Sequence, residues 1–144
     1  AEIAVETAKC ARIFGVDPQV AFLSYSTFGS GEGEDVDKMR NAAQKAKEKM
    51  PDVPVEGGMQ FDAAVSPRVA RTKCPDSQVG GHANTFIFPD ISAGNIGYKI
   101  AQRMGNFEAY GPILLGLNAP VNDLSRGCNA SEVYSMAIIT AALA

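Results

Sequence analysis

The sequence has no tryptophan, a single histidine, His82, and three cysteines, which are Cys10, Cys74 and Cys128. The cysteines are odd in number, lie far apart and form no Cys-x-x-Cys pair, which argues against a secreted disulfide framework. No acidic residue or cysteine lies at ligand spacing from His82 on a shared element, so neither a metal site nor a general base is expected there. We expect free thiols in a reducing, cytoplasmic environment.

The sequence also lacks a strong excess of either charge and a long apolar run. With 13 Lys and Arg against 16 Asp and Glu, the net charge is −3, which gives no electrostatic footprint for nucleic acid or an anionic membrane. The Ala-rich tail after Val133 is well short of the about 20 residues of a membrane span. We therefore expect small molecules or proteins as partners. Because the chain begins within an amphipathic helical pattern and shows no signal-peptide pattern, we expect it to be a piece of a longer protein.

Helical and strand-like segments alternate along the chain. The helical patterns are Ala1–Phe14, Val36–Met50, Asp62–Lys73 with a break at Pro67, Ile91–Met104, and Ala130 onward. The strand-like runs are Gln19–Tyr25, Val53–Phe61, Ala83–Asp90 and Gly111–Pro120. About a dozen or more residues separate the strands, which predicts crossover connections and an α/β fold with a largely parallel sheet covered on both faces. Ligands then bind beyond the carboxyl ends of the strands, in the loops after Tyr25, Phe88 and Leu117.

The first of these loops, Ser24–Asp35, is rich in glycine and hydroxyl groups and leads into a helix that Asp35 can cap. Free backbone N–H groups at such a point can cradle a phosphate, whereas the acidic residues of the same segment oppose an anion. The segment has no Gly-Lys-Ser/Thr sequence, and its glycines are spaced too closely for a dinucleotide fingerprint. It is either a substrate-binding loop or a plain flexible loop. Its candidate binding residues are Ser24, Ser26, Thr27, Gly29, Ser30 and Gly31.

A second candidate loop, PVNDLSRGCNASE, precedes the last helix. Asn129 stands three residues before Glu132, the spacing of a capping box. Ser125 and Arg126 lie just before this cap, where a hydroxyl and a guanidinium could hold a phosphate. Spacing alone favours a plainer interpretation of Arg126, a surface arginine in a solvated salt bridge. Likewise Cys128 at a helix entry could be a nucleophile, but a packed small residue is the simpler interpretation.

Several of these segments together resemble the C-terminal half of the phosphate acetyltransferase (phosphotransacetylase) family. They are VAFLSYSTFGSG, MQFDAAV, ANTFIFPDISAGNIGYKIAQR and GPILLGLNAPVNDLSRGC, in the family's order and at similar spacing. The resemblance covers practically the whole chain. It implies a three-layer fold like that of isocitrate and isopropylmalate dehydrogenases, built as two α/β domains with the active site in the cleft between them.

The resemblance also implies a reaction and its partners. Acetyl phosphate and coenzyme A would give acetyl-CoA and orthophosphate reversibly, without a covalent enzyme intermediate, a metal or another cofactor. The enzyme would be a homodimer. This chain would supply a smaller α/β domain, residues 1–122, and an active-site loop with a terminal helix, residues 123–144, which packs on an N-terminal domain outside the chain. Because the last helix is apolar nearly all round, we expect it to self-associate or to dock across a dimer.

The family's Asp-Leu-Ser-Arg-Gly-Cys motif places its catalytic serine and arginine on Ser125 and Arg126, which would hold the phosphate and stabilise the developing charge. The family's proposed base, an aspartate, falls on Glu132, which would take the proton of the coenzyme A thiol. Glu132 thus has two candidate roles, base and helix cap. Further substrate-binding candidates are Asn95, Asn122, Asp123 and Gly127.

The sequence departs from the family at three positions: Glu132 replaces aspartate, Leu115 a common glutamine, and Ala119 a common lysine. Two other functions stay open beside the acetyltransferase. One is a non-catalytic module that senses acyl-CoA or acetyl phosphate, as in the phosphotransacetylase-like tail of some malic enzymes. The other is a phosphate butyryltransferase. Retention of both Ser125 and Arg126 favours an enzyme over a sensing module.

Overall fold

The centre of the molecule is a sheet of three parallel strands. The computed structural model describes residues 1–144, and its strands are β1 (Val20–Leu23), β2 (Val55–Met59) and β3 (Thr85–Ile87). Their order is β2-β1-β3, with β1 parallel to both neighbours. Val20 pairs with Val55 on one side and with Thr85 on the other. The parallel α/β architecture expected from the sequence is confirmed.

Six helices accompany the sheet. They are α1 (Glu2–Ile13), α2 (Glu34–Lys49), α3 (Phe61–Val65), α4 (Pro67–Lys73), α5 (Ile91–Met104) and α6 (Ala130–Ala142). The break expected at Pro67 is present, because proline lacks the N–H of a continuing helix and Ser66 starts a new one. The Ser66 side chain accepts a hydrogen bond from the Val69 N–H at 3.4 Å. None of the helices combines the length and apolar character that a membrane span requires.

The sheet is covered on both faces, which gives three layers. Successive residues of β1 point to opposite faces, so Val20 and Phe22 enter one apolar cluster while Ala21 and Leu23 enter another. The first cluster is completed by α1 and α2, and the second by α3 and α4. All four residues of β1 are buried, as a central parallel strand requires.

Two local predictions were wrong. The run Gly111–Pro120 is not a strand, since it forms only an isolated antiparallel bridge between Ile113 and Asn122. Asp35 does not cap α2, because the helix begins at Glu34, two residues earlier than expected, and its N-cap is Gly33. A Cβ at that glycine would overlap the Tyr25 hydroxyl, which donates a hydrogen bond to the Glu32 carbonyl at 2.6 Å. This contact and the backbone angle φ of 156° both favour glycine at the cap, and Asp35 lies inside the first turn.

The chain divides into two compact units, Ala1–Asn95 and Ile96–Ala144. The first contains the sheet with α1 to α4, and the second contains most of α5, the segment that follows it, and α6. A boundary between residues 122 and 123, defined by packing on a further domain, stays a prediction.

Candidate functional site

The first candidate site is the β1 loop, Ser24–Gly33, at the carboxyl end of β1. Its hydroxyl groups bind the loop's own backbone. The N–H of Ser26 donates to Ser24 Oγ at 3.1 Å, that of Thr27 to Ser30 Oγ at 3.0 Å, and that of Gly31 to Ser26 Oγ at 3.0 Å. The Phe28 N–H donates to the Gly58 carbonyl at 2.9 Å, and the Ser30 N–H to the Thr27 carbonyl at 3.1 Å. The loop is thus an ordered structure held by its own side chains.

These contacts show how the groups of the expected phosphate cradle are used within the chain. Within the loop, the N–H groups of Ser26, Thr27, Phe28, Ser30 and Gly31 are engaged within the chain. Ser26 and Thr27 are buried, with 0% and 5% exposure. Their burial makes them parts of the loop's framework. Contact of a ligand with the loop residues stays a prediction for Ser24, Ser26, Thr27, Gly29, Ser30 and Gly31.

A polar network joins the β1 loop to the segment after β2. The Thr27 hydroxyl donates to Gln60 Oε1 at 3.0 Å and accepts from the Gln60 N–H at 3.1 Å. Lys73, at the end of α4, donates from Nζ to the same Gln60 Oε1 at 2.9 Å and to Asp62 Oδ2 at 2.8 Å. The hydrogen bond from Lys73 lowers the pKa of the Asp62 carboxyl. Sequence reasoning missed this network, because its partners meet only through the fold.

The second candidate site lies in the second unit, where the chain enters α6. A turn closed by the Cys128 N–H and the Ser125 carbonyl, at 3.0 Å, contains Arg126 and Gly127. The Gly127 N–H also donates to Ser125 Oγ at 3.3 Å. The turn therefore presents an exposed serine and an exposed arginine directly before a helix N-terminus.

The expected capping box is present at that N-terminus. The Glu132 N–H donates to Asn129 Oδ1 at 2.9 Å, and the Asn129 N–H donates to Glu132 Oε2 at 3.0 Å. One carboxylate oxygen of Glu132 is thus engaged by the cap. The other oxygen forms no hydrogen bond within the chain, so the cap leaves a proton-accepting atom available.

Neighbouring contacts fix the loop that carries this turn. The Asn122 side chain accepts from the Leu114 N–H at 3.0 Å and donates to Thr140 Oγ1 at 2.8 Å. Each end of its amide therefore makes a contact inside the unit, so Asn122 supports the loop, and its contact with substrate stays a prediction. Asp123 is exposed and accepts from the Leu124 N–H at 2.8 Å.

A cavity of about 40 Å³ lies beside the capping box, which is space for about one water molecule. Ser125, Gly127, Cys128 and Glu132 line it from the α6 side. From α5 it is lined by Tyr98, Lys99, Gln102 and Arg103. These α5 residues were not among the sequence candidates, although a spacing of three and four places Lys99, Gln102 and Arg103 on one helix face. The cavity lining thus includes the Ser125 hydroxyl and the Glu132 carboxylate. It also includes two cationic side chains, Lys99 and Arg103.

Arg126 itself forms no ion pair or hydrogen bond within the chain. The surface salt bridge that spacing favoured is therefore absent, and its guanidinium keeps all of its donors for a ligand. A free guanidinium and a serine hydroxyl next to a helix N-terminus can bind a phosphate or a developing oxyanion.

The remaining sequence candidates belong to the first unit. Asn95 is exposed on the part of α5 that belongs to the first unit, and His82 is exposed in the loop before β3. No group of three or more His, Cys, Asp or Glu residues is placed to hold a metal ion. All three cysteines are free, and burial raises the pKa of the Cys10 and Cys74 thiols.

Comparison with known proteins gives a consistent set of relatives. The family model described as phosphate acetyl/butaryl transferase matches residues 1–141. The phosphate acetyltransferase of Bacillus subtilis is 59% identical over 144 residues, which are 100% of this chain and 45% of the relative. That of Staphylococcus epidermidis is 55% identical over 149 aligned residues, with the same coverage. The chain thus spans 45% of the length of these relatives.

Solved structures resemble the fold closely. A phosphotransacetylase from Streptococcus pyogenes superposes with a TM-score of 0.94 at 60% identity, over 98% of this chain and 43% of that one. The EutD phosphotransacetylase from Staphylococcus aureus gives a TM-score of 0.91 at 53% identity, over 98% of this chain and 44% of that one. A branched-chain phosphotransacylase from Enterococcus faecalis, with a TM-score of 0.75 at 21% identity, shares the fold over 99% of this chain and 51% of that one.

Proposed function

Because the chain belongs to the phosphate acetyl/butaryl transferase family, we propose that it is the C-terminal part of a phosphate acetyltransferase. The single observation that carries this proposal is the unpaired Arg126 beside Ser125 at the entry of α6. A guanidinium free of internal partners suits an anionic substrate, and acetyl phosphate is one. The high identity to curated acetyltransferases supports the same activity.

The proposed reaction is direct transfer of an acetyl group. The thiol of coenzyme A loses its proton to a base, and its sulfur attacks the carbonyl carbon of acetyl phosphate. A carbon–sulfur bond forms, the bond between the carbonyl carbon and the phosphate oxygen breaks, and orthophosphate leaves. The step needs a base, a donor set for the developing oxyanion, and a cation for the leaving phosphate.

Residues of the second unit can supply these parts. Arg126 binds the phosphate and stabilises the charge that develops on it, and Ser125 donates a hydrogen bond beside it. Glu132 accepts the thiol proton on the carboxylate oxygen that the capping box leaves free. Asp123 and Gly127 are further proposed contacts to substrate, and Asn95 of the first unit is another. We also propose that the enzyme acts in the cytoplasm.

We expect the complete enzyme to form acetyl-CoA from acetyl phosphate and coenzyme A, and this chain alone to show little or no turnover. The reason is that the chain spans 45% of its relatives' length, so residues outside it complete the site. The measurement is thioester formation by each protein. A complete protein that binds coenzyme A without turnover would support the sensing module instead, and faster turnover of butyryl phosphate would indicate a butyryltransferase.

We also propose that the complete enzyme is a homodimer, and that apolar side chains of this chain become buried on assembly. Within α6, Met136 is buried, whereas Val133, Tyr134 and Ile138 are exposed. Exposed apolar area of this kind is typical of a surface that contacts another protein segment. Light scattering of the complete enzyme should give twice the monomer mass. A monodisperse monomer would refute the dimer.

A further inference from the structure

Gln60, in the segment after β2, uses only one end of its side-chain amide in hydrogen bonds within the chain. Gln60 follows the last residue of β2 and lies beside the β1 loop, at the carboxyl edge of the sheet. Ligands of parallel α/β sheets bind beyond this edge. The Gln60 amide has an oxygen and a nitrogen end, and the contacts determine which is which.

The orientation of the amide follows from Lys73. An ammonium group can only donate hydrogen bonds, so the Gln60 atom 2.9 Å from Lys73 Nζ must be the oxygen. The Thr27 hydroxyl donates to the same oxygen at 3.0 Å. The Nε2 end donates to no group of the chain, which leaves two donors whose direction is fixed by the other end of the same planar group.

The surroundings indicate what this donor binds. The first turn of α2 carries Glu34, Asp35 and Asp37, and their negative charge disfavours a phosphate at this end of the loop. Phe28 and Phe61, next in sequence to Thr27 and Gln60, are 52% and 54% exposed. A neutral donor with exposed aromatic surface nearby suits an uncharged chain that contains amide carbonyls.

We propose that Gln60 Nε2 donates a hydrogen bond to an amide carbonyl of the pantetheine arm of coenzyme A. Lys73 and Thr27 are positioning residues, because they fix the amide through its oxygen. The inference rests on the proposed acetyltransferase function and deepens it, by naming a residue that contacts the thiol substrate.

The substitution Gln60→Glu tests the roles of the two ends of the side-chain amide separately. A carboxylate still accepts hydrogen bonds from Lys73 and Thr27, so the β1 loop stays held, but the donor is lost. In the complete enzyme we expect the KM for coenzyme A to rise about tenfold, as for loss of one buried polar contact. The kcat and the KM for acetyl phosphate should change less than about threefold, within the effect of an exposed substitution. Gln44→Glu, on the exposed face of α2, is the matched charge control.

A binding measurement makes the test independent of turnover. Calorimetry compares coenzyme A with adenosine 3′,5′-bisphosphate, which lacks the pantetheine arm. The Gln60→Glu enzyme should bind coenzyme A more weakly than the parent does, and it should bind the bisphosphate as tightly as the parent. Equal weakening of both ligands, unchanged binding of both, or a rise in KM for acetyl phosphate alone would overturn the inference. If the unaltered enzyme lacks turnover but binds coenzyme A, the acetyltransferase proposal fails and this comparison still decides the role of Gln60.

Hydrogen exchange checks that the β1 loop is intact. The amides of Ser26, Thr27 and Gly31 should keep their protection in Gln60→Glu and lose it in Gln60→Met, which can accept no strong hydrogen bond from Thr27. If Gln60→Met and Gln60→Glu weaken coenzyme A binding equally while only the first loosens the loop, loss of the donor is the cause. If Gln60→Glu binds coenzyme A normally and only Gln60→Met fails, Gln60 merely supports the loop and the inference is wrong.

Discussion

Replacing Arg126 with alanine in the complete enzyme should lower kcat about 10²- to 10³-fold, the range for removal of one donor to a developing oxyanion. Arg126 forms no internal ion pair, so its loss should leave the thermal unfolding midpoint unchanged. The KM for acetyl phosphate should rise as well, because the guanidinium binds the ground-state phosphate. Steady-state rates with each substrate varied in turn measure both effects.

Two further variants identify the cause. Arg126→Lys keeps the positive charge but loses the planar pair of donors, and it should recover only part of the rate. Arg68→Ala removes an exposed guanidinium from α4 in the other compact unit, and it should leave turnover as it was. If kcat and the KM for acetyl phosphate of the Arg126→Ala enzyme both stay within about threefold of the parental values, the main support for phosphate binding at this turn is lost.

Replacing Glu132 with glutamine should lower kcat by about 10²-fold or more, as expected when a general base is lost. Glutamine can occupy the same position of a capping box, because its side-chain oxygen still accepts from the Asn129 N–H. It cannot take a proton from a thiol. The unfolding midpoint should therefore stay constant while the rate falls. Measuring both on one preparation distinguishes the role of Glu132 as general base from its role as helix cap.

Asn129→Ala is the complementary variant. It removes the side-chain half of the cap and should destabilise the fold by about 1 kcal/mol, while the Glu132 carboxylate is retained. We expect a much smaller loss of rate than for Glu132→Gln. If Glu132→Gln turns over at the parental rate and only Asn129→Ala is altered, Glu132 is a helix cap alone and the base lies elsewhere.

The strands that sequence predicted correctly share a property that the failed one lacks. The runs around Val20–Leu23 and Thr85–Ile87 are buried between helices, and β1 binds a partner strand on each side. Gly111–Pro120 is equally apolar, yet Leu114 and Leu117 remain exposed. An apolar run indicates that a segment prefers burial. A strand also requires the edge of a sheet to pair with, and sequence alone does not show where such an edge lies.

Local hydrogen-bond patterns were predictable where their partners are close in sequence. The Asn129–Glu132 box and the break before Pro67 each depend on residues at most four apart, and both are present. Thr27, Gln60 and Lys73 meet across 33 and 13 residues, so no spacing rule could pair them. Composition made the hydroxyls of the β1 loop candidates for substrate binding, and in the structure they accept hydrogen bonds from the loop's own backbone. Their contact with substrate stays a prediction.

The reciprocal bonds between Asn129 and Glu132 have a consequence for how this region evolves. Each residue fixes the other through the helix terminus, so a change at position 129 alters where the carboxylate at position 132 is held. A shorter acid at 132 would have to reach both the cap and the cavity with one methylene less. Among relatives, the residue types at these two positions should therefore covary, and an exchange at one should be tolerated better after a matching exchange at the other.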